Sequence, residues 1–110
     1  MQIKDLKKFI KIMAKRLKKK FPNENEDKRI LARMVKITEE VGELADEVLS
    51  HNSLQRKEKL DKYNKNDLLE EFADVVITTF LLAEIMKVDI EKALKMKIKK
   101  MNEKYKISKK

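Results

Sequence analysis

Residues 67–86 read DLLEEFADVVITTFLLAEIM, and this stretch decides the fold. Its second half, from residue 75 onward, is apolar almost throughout and rich in β-branched residues, which would also suit a buried strand. The segments before and after it are helix formers, however, and no turn residue separates them. We therefore predict one helix from residue 66 or 67 to about residue 87. Asp67 and Glu70 have the spacing of a capping box at its start.

A helix that is apolar on nearly every side has to be enclosed on every side. The whole chain has only 110 residues. The other helices of so short a chain are too few to enclose this one. The sequence therefore predicts a homodimer, a homotetramer or another homo-oligomer.

Two helices are predicted on the N-terminal side of this stretch. Apolar residues at steps of three and four mark the first over residues 3–20, and Pro22 ends it. Asn23 or Asn25 can cap the second, over residues 25–50. The predicted buried stripe of this second helix is Ile30, Met34, Ile37, Val41, Leu44 and Val48.

The segment that follows, residues 50–66, is polar and has no sustained apolar period, so we predict a loop there. Beyond the apolar helix, Asp89 is placed to cap a last helix that runs to about residue 106. This helix should turn a row of lysines outward. The residues expected to face inward are Ile90, Ala93, Leu94, Ile98 and Met101.

The composition excludes several classes of protein. One Gly and one Pro cannot supply the turns of an all-β fold, so we predict an all-α, four-helix bundle-like single domain over residues 1–110. The absence of Cys excludes disulfides and thiolate metal sites. No apolar run approaches the roughly 20 residues of a membrane span, and the N-terminus lacks the apolar region of a signal peptide. We expect a cytoplasmic protein with no membrane partner.

The net charge of +9 comes mostly from lysines, which are densest near the two ends of the chain. A nucleic-acid-binding protein more often has arginines with interleaved aromatic residues and glycines. We therefore do not expect a nucleic-acid partner. The lysines form either a solvated surface or a contact with a polyanion, which includes a nucleoside triphosphate as well as a nucleic acid.

Two acidic motifs stand out, Glu39-Glu40-Val41-Gly42-Glu43 and Glu70-Glu71-Phe72-Ala73-Asp74. Glu40 and Glu43, like Glu71 and Asp74, are three residues apart and lie on one helix face, at the edge of a predicted buried stripe. If the two helices pack antiparallel, the four carboxylates converge. Their repulsion is relieved by a divalent cation, and oxygen ligands favour Mg²⁺ or Mn²⁺.

One such acidic motif alone would be an ordinary solvated helix surface. Two motifs on consecutive long helices favour a metal site instead, and Gly42 adds weight because a mid-helix glycine costs about 1 kcal/mol and suggests a close approach. The single histidine, His51, does not provide the two Glu-x-x-His motifs of a di-iron bundle. A carboxylate site beside many lysines suits phosphate chemistry, in which Mg²⁺ bridges phosphate oxygens.

The sequence EEVGELADEV, followed by LLEEFADVVITTFLLAE and a lysine-rich last helix, resembles the MazG-like all-α nucleoside triphosphate pyrophosphohydrolases over about residues 30–105. The resemblance implies a helical bundle that forms dimers or tetramers. It also implies Mg²⁺-dependent hydrolysis of an NTP or dNTP to the monophosphate and pyrophosphate, with Mn²⁺ as a substitute ion. Such an activity removes unwanted nucleotides from the pool.

The resemblance also implies roles for individual residues. Glu40, Glu43, Glu71 and Asp74 would be the metal ligands. Glu39 or Glu40 would help to deprotonate the attacking water. In the last helix, Met101 stands where the family has Asn, with Asn102 one residue later. The implied substrate-binding residues there are Lys97, Asn102, Lys104 and Tyr105.

Two other interpretations remain open at this point. A basic helical module that binds nucleic acid would explain the lysines but not the paired acidic motifs. An oligomerising bundle without catalysis would explain the apolar helix but would make those motifs accidental.

Overall fold

The structure is a computed structural model that describes residues 1–106. These residues form five helices and no strand, which confirms the all-α prediction. The four predicted helices begin and end within about two residues of their expected positions, and a short fifth helix is added. The helices are α1 (Ile3–Lys20), α2 (Glu26–His51), α3 (Lys57–Asp61), α4 (Lys65–Ile85) and α5 (Ile90–Tyr105).

The starts of α2 and α5 carry the predicted caps. The side-chain oxygen of Asn25 accepts a hydrogen bond from the backbone N–H of Lys28 at 2.8 Å. Asp89 accepts one in the same way from Lys92 at 3.1 Å. Each cap satisfies a donor that the first turn of a helix leaves without an intrahelical partner.

The residue that caps α4 differs from the prediction. Asn64 is the N-cap, and its side chain accepts from the backbone N–H of Asn66 at 2.8 Å. Asp67 therefore lies inside the first turn, where its charge is favourable beside the positive end of the helix dipole. Asn is as good an N-cap as Asp, so the asparagine that comes earlier in the sequence starts the helix.

The predicted loop over residues 50–66 contains α3, so that part of the prediction is wrong. Asp46 of α2 holds this segment: it accepts a hydrogen bond from Gln55 at 3.1 Å and forms an ion pair with Lys59 at 3.1 Å. The five residues of α3 are mostly helix formers. A helix this short has no apolar period, so the pattern could not show it.

The end of α4 is a Schellman motif closed by Lys87, which has a left-handed backbone with φ 58°. The N–H of Val88 donates to the carbonyl of Ala83 at 2.8 Å, and that of Lys87 donates to Glu84 at 3.1 Å. Ser53 closes α2 in the same conformation and with the same pair of bonds. Glycine is usual at this position. Both helices here end without one.

Helices α2 and α4 run antiparallel and form the main packing pair of the described chain. Near the end of α2, His51 Nδ1 lies 2.7 Å from the Tyr63 hydroxyl, just before α4 begins. Further back along α2, Glu40 and Glu43 lie beside Glu71 of α4. Helix α1 packs on α4 from another side.

The face of α2 that packs on α4 is rotated from the predicted stripe. Met34, Val41 and Val48 are exposed, and Glu40 is only 8% exposed. Glu40 therefore lies in the middle of the packed face and not at its edge. A hydrophobic pattern assigns carboxylates to the outside, so it could not predict a face that contains one.

The prediction of an inward apolar stripe on α5 is wrong for the single chain. Leu94, Ile98 and Met101 are exposed, with Ile98 56% exposed. One ion pair with α1, between Lys7 Nζ and Glu91 Oε1 at 3.3 Å, holds the start of α5. The rest of α5 extends away from the other helices.

The interior of the described chain is small. Ile10 and Leu81 are the only buried apolar residues within residues 1–106. The radius of gyration is 17.2 Å, whereas a compact domain of this length has about 13 Å. No helix in this part of the chain has the length and apolar character to span a membrane.

Candidate metal centre

Glu40, Glu43 and Glu71 bring one carboxylate oxygen each to within 4.8 Å of one another. We call these three residues the glutamate cluster. Glu40 and Glu43 come from successive turns of α2, and Glu71 comes from the facing side of α4. The antiparallel pairing of the two helices therefore assembles the cluster from positions about 30 residues apart in the sequence.

The carboxylates of the cluster lie close enough for their negative charges to repel one another. Loss of solvation raises the pKa of Glu71 from 4.5 to about 7, and the charges of Glu43, Asp74 and Glu40 add to the effect. Near neutral pH the metal-free protein is thus divided between protonated and ionised Glu71. A cation held among the three carboxylates would favour the ionised form.

Two oxygens of the cluster, Glu40 Oε2 and Glu71 Oε2, are shielded from solvent and accept no hydrogen bond from residues 1–106. Buried carboxylate oxygens without a donor are uncommon in folded proteins, because they lose hydration and gain nothing. A hard divalent cation such as Mg²⁺ or Mn²⁺ takes carboxylate oxygens as its preferred ligands. The donor set therefore fits a divalent metal ion.

Lys36 lies at the edge of the cluster, one turn before Glu40. Its Nζ is 3.0 Å from Glu39 Oε2 and 3.6 Å from Glu40 Oε1. The hydrogen bond and charge of Glu39, with the charges of Glu40 and Glu43, raise the pKa of Lys36. The sequence analysis missed this residue, although a Lys four residues before a Glu on one helix face is a recognisable signal.

The other acidic residues predicted for the site lie around the cluster. Asp74 is one turn beyond Glu71, and its charge helps to raise the pKa of Glu71. Its oxygens are not among the close group of three. Glu39 points outward, with its side chain 57% exposed and paired to Lys36.

The structure does not bring the predicted residues of α5 to the cluster. Lys97, Lys104 and Tyr105 are exposed and Asn102 is half-buried. Lys104 Nζ lies 5.3 Å from the centre of the Tyr105 ring. Within residues 1–106, no hydrogen bond or ion pair joins any of the four to the cluster.

Glu47 is a further buried carboxylate that the sequence analysis missed. It lies one turn beyond Glu43 on the packed face of α2, and its Oε2 is shielded from solvent without a donor in the described chain. It is not part of the close group. The spacing of four residues from Glu43 was the available signal, but the neighbouring Asp46 made the run look like an ordinary acidic surface.

Gly42 does not have the close neighbour that the sequence suggested. A Cβ atom placed there would meet nothing within 4 Å in the described chain. Within one copy, therefore, nothing requires a glycine at this position.

Comparison with known proteins gives one result. Searches among curated proteins and among solved structures found no match. The model of one family does match, the MazG-like family, over residues 31–110. The matched segment includes most of α2 and all of α3, α4 and α5, and so contains the whole glutamate cluster. The chain belongs to the MazG-like family.

Proposed function

We propose that the protein is a Mg²⁺-dependent nucleoside triphosphate pyrophosphohydrolase, which hydrolyses an NTP or dNTP to the monophosphate and pyrophosphate. The observation that carries the proposal is the glutamate cluster, in which two solvent-shielded oxygens lack a donor. Membership of the MazG-like family suggests a nucleotide pyrophosphohydrolase type of role and supports the same reading. Nucleotides of the cytoplasmic pool are the proposed substrates.

Glu40, Glu43 and Glu71 hold the ion in this proposal, and Asp74 completes the ligand set from the next turn of α4. Mg²⁺ supplies polarisation of the phosphate oxygens and activation of water, and Mn²⁺ can replace it. Glu39 or Glu40 accepts a proton from the attacking water. The water oxygen attacks the α-phosphorus, the bond to the bridging oxygen breaks, and pyrophosphate leaves.

Lys97, Asn102, Lys104 and Tyr105 are proposed to bind the triphosphate and the nucleoside. They lie on α5, which extends away from the cluster of its own chain. A second copy of the chain is the proposed neighbour of α5, in a homodimer or homotetramer. The support is the exposed apolar surface: α5 leaves Ile98 uncovered, and α4 leaves Leu69, Phe72 and Val76 uncovered.

The decisive experiment measures pyrophosphate and orthophosphate release from a panel of NTPs and dNTPs, with Mg²⁺ and with EDTA. We expect pyrophosphate only, and only with Mg²⁺. Glu43→Gln and Glu71→Gln keep the shape of the side chains and remove a ligand charge. Glu58→Gln, on the exposed side of α3, is the matched control and should keep full activity.

Three outcomes contradict the proposal. Orthophosphate as the product would place cleavage at the γ-phosphate. Equal activity in the Glu→Gln variants would remove the cluster from the reaction. Inactivity on every triphosphate, together with tight DNA binding at low salt, would favour the nucleic-acid-binding module.

A further inference from the structure

We propose that the Lys36 ammonium pairs with Glu40 in the metal-free protein and moves to pair with the phosphate oxygens when the triphosphate binds. The inference rests on the proposed function and adds a residue to it. Lys36 and a divalent ion compete for the same carboxylate. When the ion binds Glu40, the ammonium of Lys36 leaves this carboxylate and pairs with the phosphate oxygens of the nucleotide.

The two oxygens of Glu40 have different surroundings, and this difference is the first support. Oε1 faces Lys36 Nζ at 3.6 Å, whereas Oε2 is shielded and has no donor within residues 1–106. Glu40 is itself 8% exposed, so its carboxylate has little water to replace either partner. Within the described residues, the Lys36 ammonium is the cation that pairs with this buried charge.

The second support is the reach of Lys36. Its side chain is 43% exposed and bonds to no backbone group of residues 1–106, so its ammonium can move while its helix stays in place. A lysine is a compact charge on a flexible four-carbon stem with three donors, which suits an exchange between carboxylate and phosphate oxygens. Glu39, at 3.0 Å, keeps the ammonium near the site during the exchange.

The proposal predicts opposite changes in the affinity for the metal ion and in the affinity for the nucleotide, which a purely structural ion pair does not predict. A positive charge next to a ligand carboxylate opposes the binding of a cation and favours the binding of an anion. Removal of the Lys36 charge should therefore tighten the binding of the metal ion alone and weaken the binding of the nucleotide. The screening of a partly exposed charge limits each effect to about 3- to 10-fold.

The experiment compares wild type, Lys36→Met, Lys36→Arg and the control Lys28→Met. Lys28 is exposed on the same helix, eight residues or about 12 Å before Lys36, so the control removes the same charge away from the cluster. Mn²⁺ binding is measured without nucleotide from the electron paramagnetic resonance signal of free Mn²⁺. Binding of a non-hydrolysable α,β-methylene triphosphate is then measured by calorimetry at saturating Mn²⁺.

We expect Lys36→Met to bind Mn²⁺ about 3- to 10-fold more tightly and the analogue about 3- to 10-fold more weakly. Lys36→Arg keeps the positive charge, so both of its affinities should be close to those of wild type. Lys28→Met should also match wild type in both measurements. If both affinities fall together or neither changes, Lys36 is only a structural partner of Glu39 and the inference is wrong. Circular dichroism checks that each variant is folded, and Lys36→Gln replaces Lys36→Met if that variant is not.

The experiment also separates this inference from the proposed function. A wild-type protein that binds no Mn²⁺ would overturn the metal centre and the role of Lys36 with it. A wild-type protein that binds Mn²⁺, with a Lys36→Met variant that binds it no better, would overturn the role of Lys36 and leave the metal centre in place.

Discussion

The α2–α4 pair and α5 carry the two groups of residues predicted for the site, and a single chain assembles only one of them. The acidic residues of α2 and α4 meet because the two helices pack antiparallel. The lysines of α5, together with its apolar residues, face away from any described neighbour. A cluster within one bundle can form from local topology. A site that includes residues of α5 requires a further surface on which α5 can pack.

The largest expected effect tests the glutamate cluster that α2 and α4 assemble. Mutation of a residue that only supports a metal ligand typically lowers metal affinity or activity 10–100-fold. Loss of a direct ligand should lower them at least as much. We expect Glu43→Gln to lower the rate of pyrophosphate release by about 100-fold or more, with saturating Mg²⁺ recovering part of it. A Glu43→Gln variant that releases pyrophosphate at a rate within about threefold of wild type would show that the glutamate cluster does not take part in catalysis.

The next effect tests the half that one chain leaves exposed. If α5 packs on a second copy, Ile98→Ser should lower the free energy of unfolding by about 2 kcal/mol and shift the oligomer towards monomer. Sedimentation velocity and urea unfolding over a range of protein concentrations measure both. Lys99→Ser introduces the same side chain on the neighbouring residue and costs only a few tenths of a kcal/mol through helix propensity, so it should leave the oligomer unchanged. An Ile98→Ser protein that behaves like Lys99→Ser would show that α5 is free in solution.

A smaller effect tests the charge balance of the cluster. Glu71 has a pKa of about 7 in the folded protein and about 4.5 when unfolded, so the folded state binds more protons between these values. The stability that Glu71 contributes is present below pH 4.5 and is lost as the pH rises through 7. We expect the metal-free Glu71→Gln variant to gain about 1–2 kcal/mol over wild type between pH 5 and 8. Urea unfolding in EDTA at several pH values measures this difference, and a constant difference would contradict it.

The smallest effect tests whether α2 also meets a second copy. In the single chain, a Cβ at Gly42 meets nothing, so Gly42→Ala should raise the stability by about 0.5–1 kcal/mol through helix propensity alone. Thermal unfolding at low and high protein concentration checks this expectation. A loss of stability that grows with concentration would show instead that another copy approaches Gly42 closely.

The four long helices could be predicted from the sequence, because caps and apolar periods are local. Asn25 and Asp89 are examples. The convergence of Glu40, Glu43 and Glu71 was also expected, since neighbouring helices joined by a loop usually pack antiparallel.

The rotation of the packed face could not be predicted. A hydrophobic period gives no weight to a carboxylate, yet Glu40 is the least exposed residue with a charged side chain in the described chain. The place of Lys97 and Tyr105 could not be predicted either. Within residues 1–106 of one copy, no helix covers the part of α5 that carries these two residues, and a single sequence does not contain the geometry of a second copy.

The Schellman motif at Lys87 has a consequence for how α5 could associate. A left-handed residue with a Cβ atom costs about 1 kcal/mol, and the two backbone hydrogen bonds that accompany it fix the direction in which the chain leaves α4. The direction in which α5 begins is therefore set by this turn, together with the ion pair between Lys7 and Glu91. An arm that is already oriented loses less conformational entropy when it docks, so this turn would lower the entropic cost of the proposed association with a second copy.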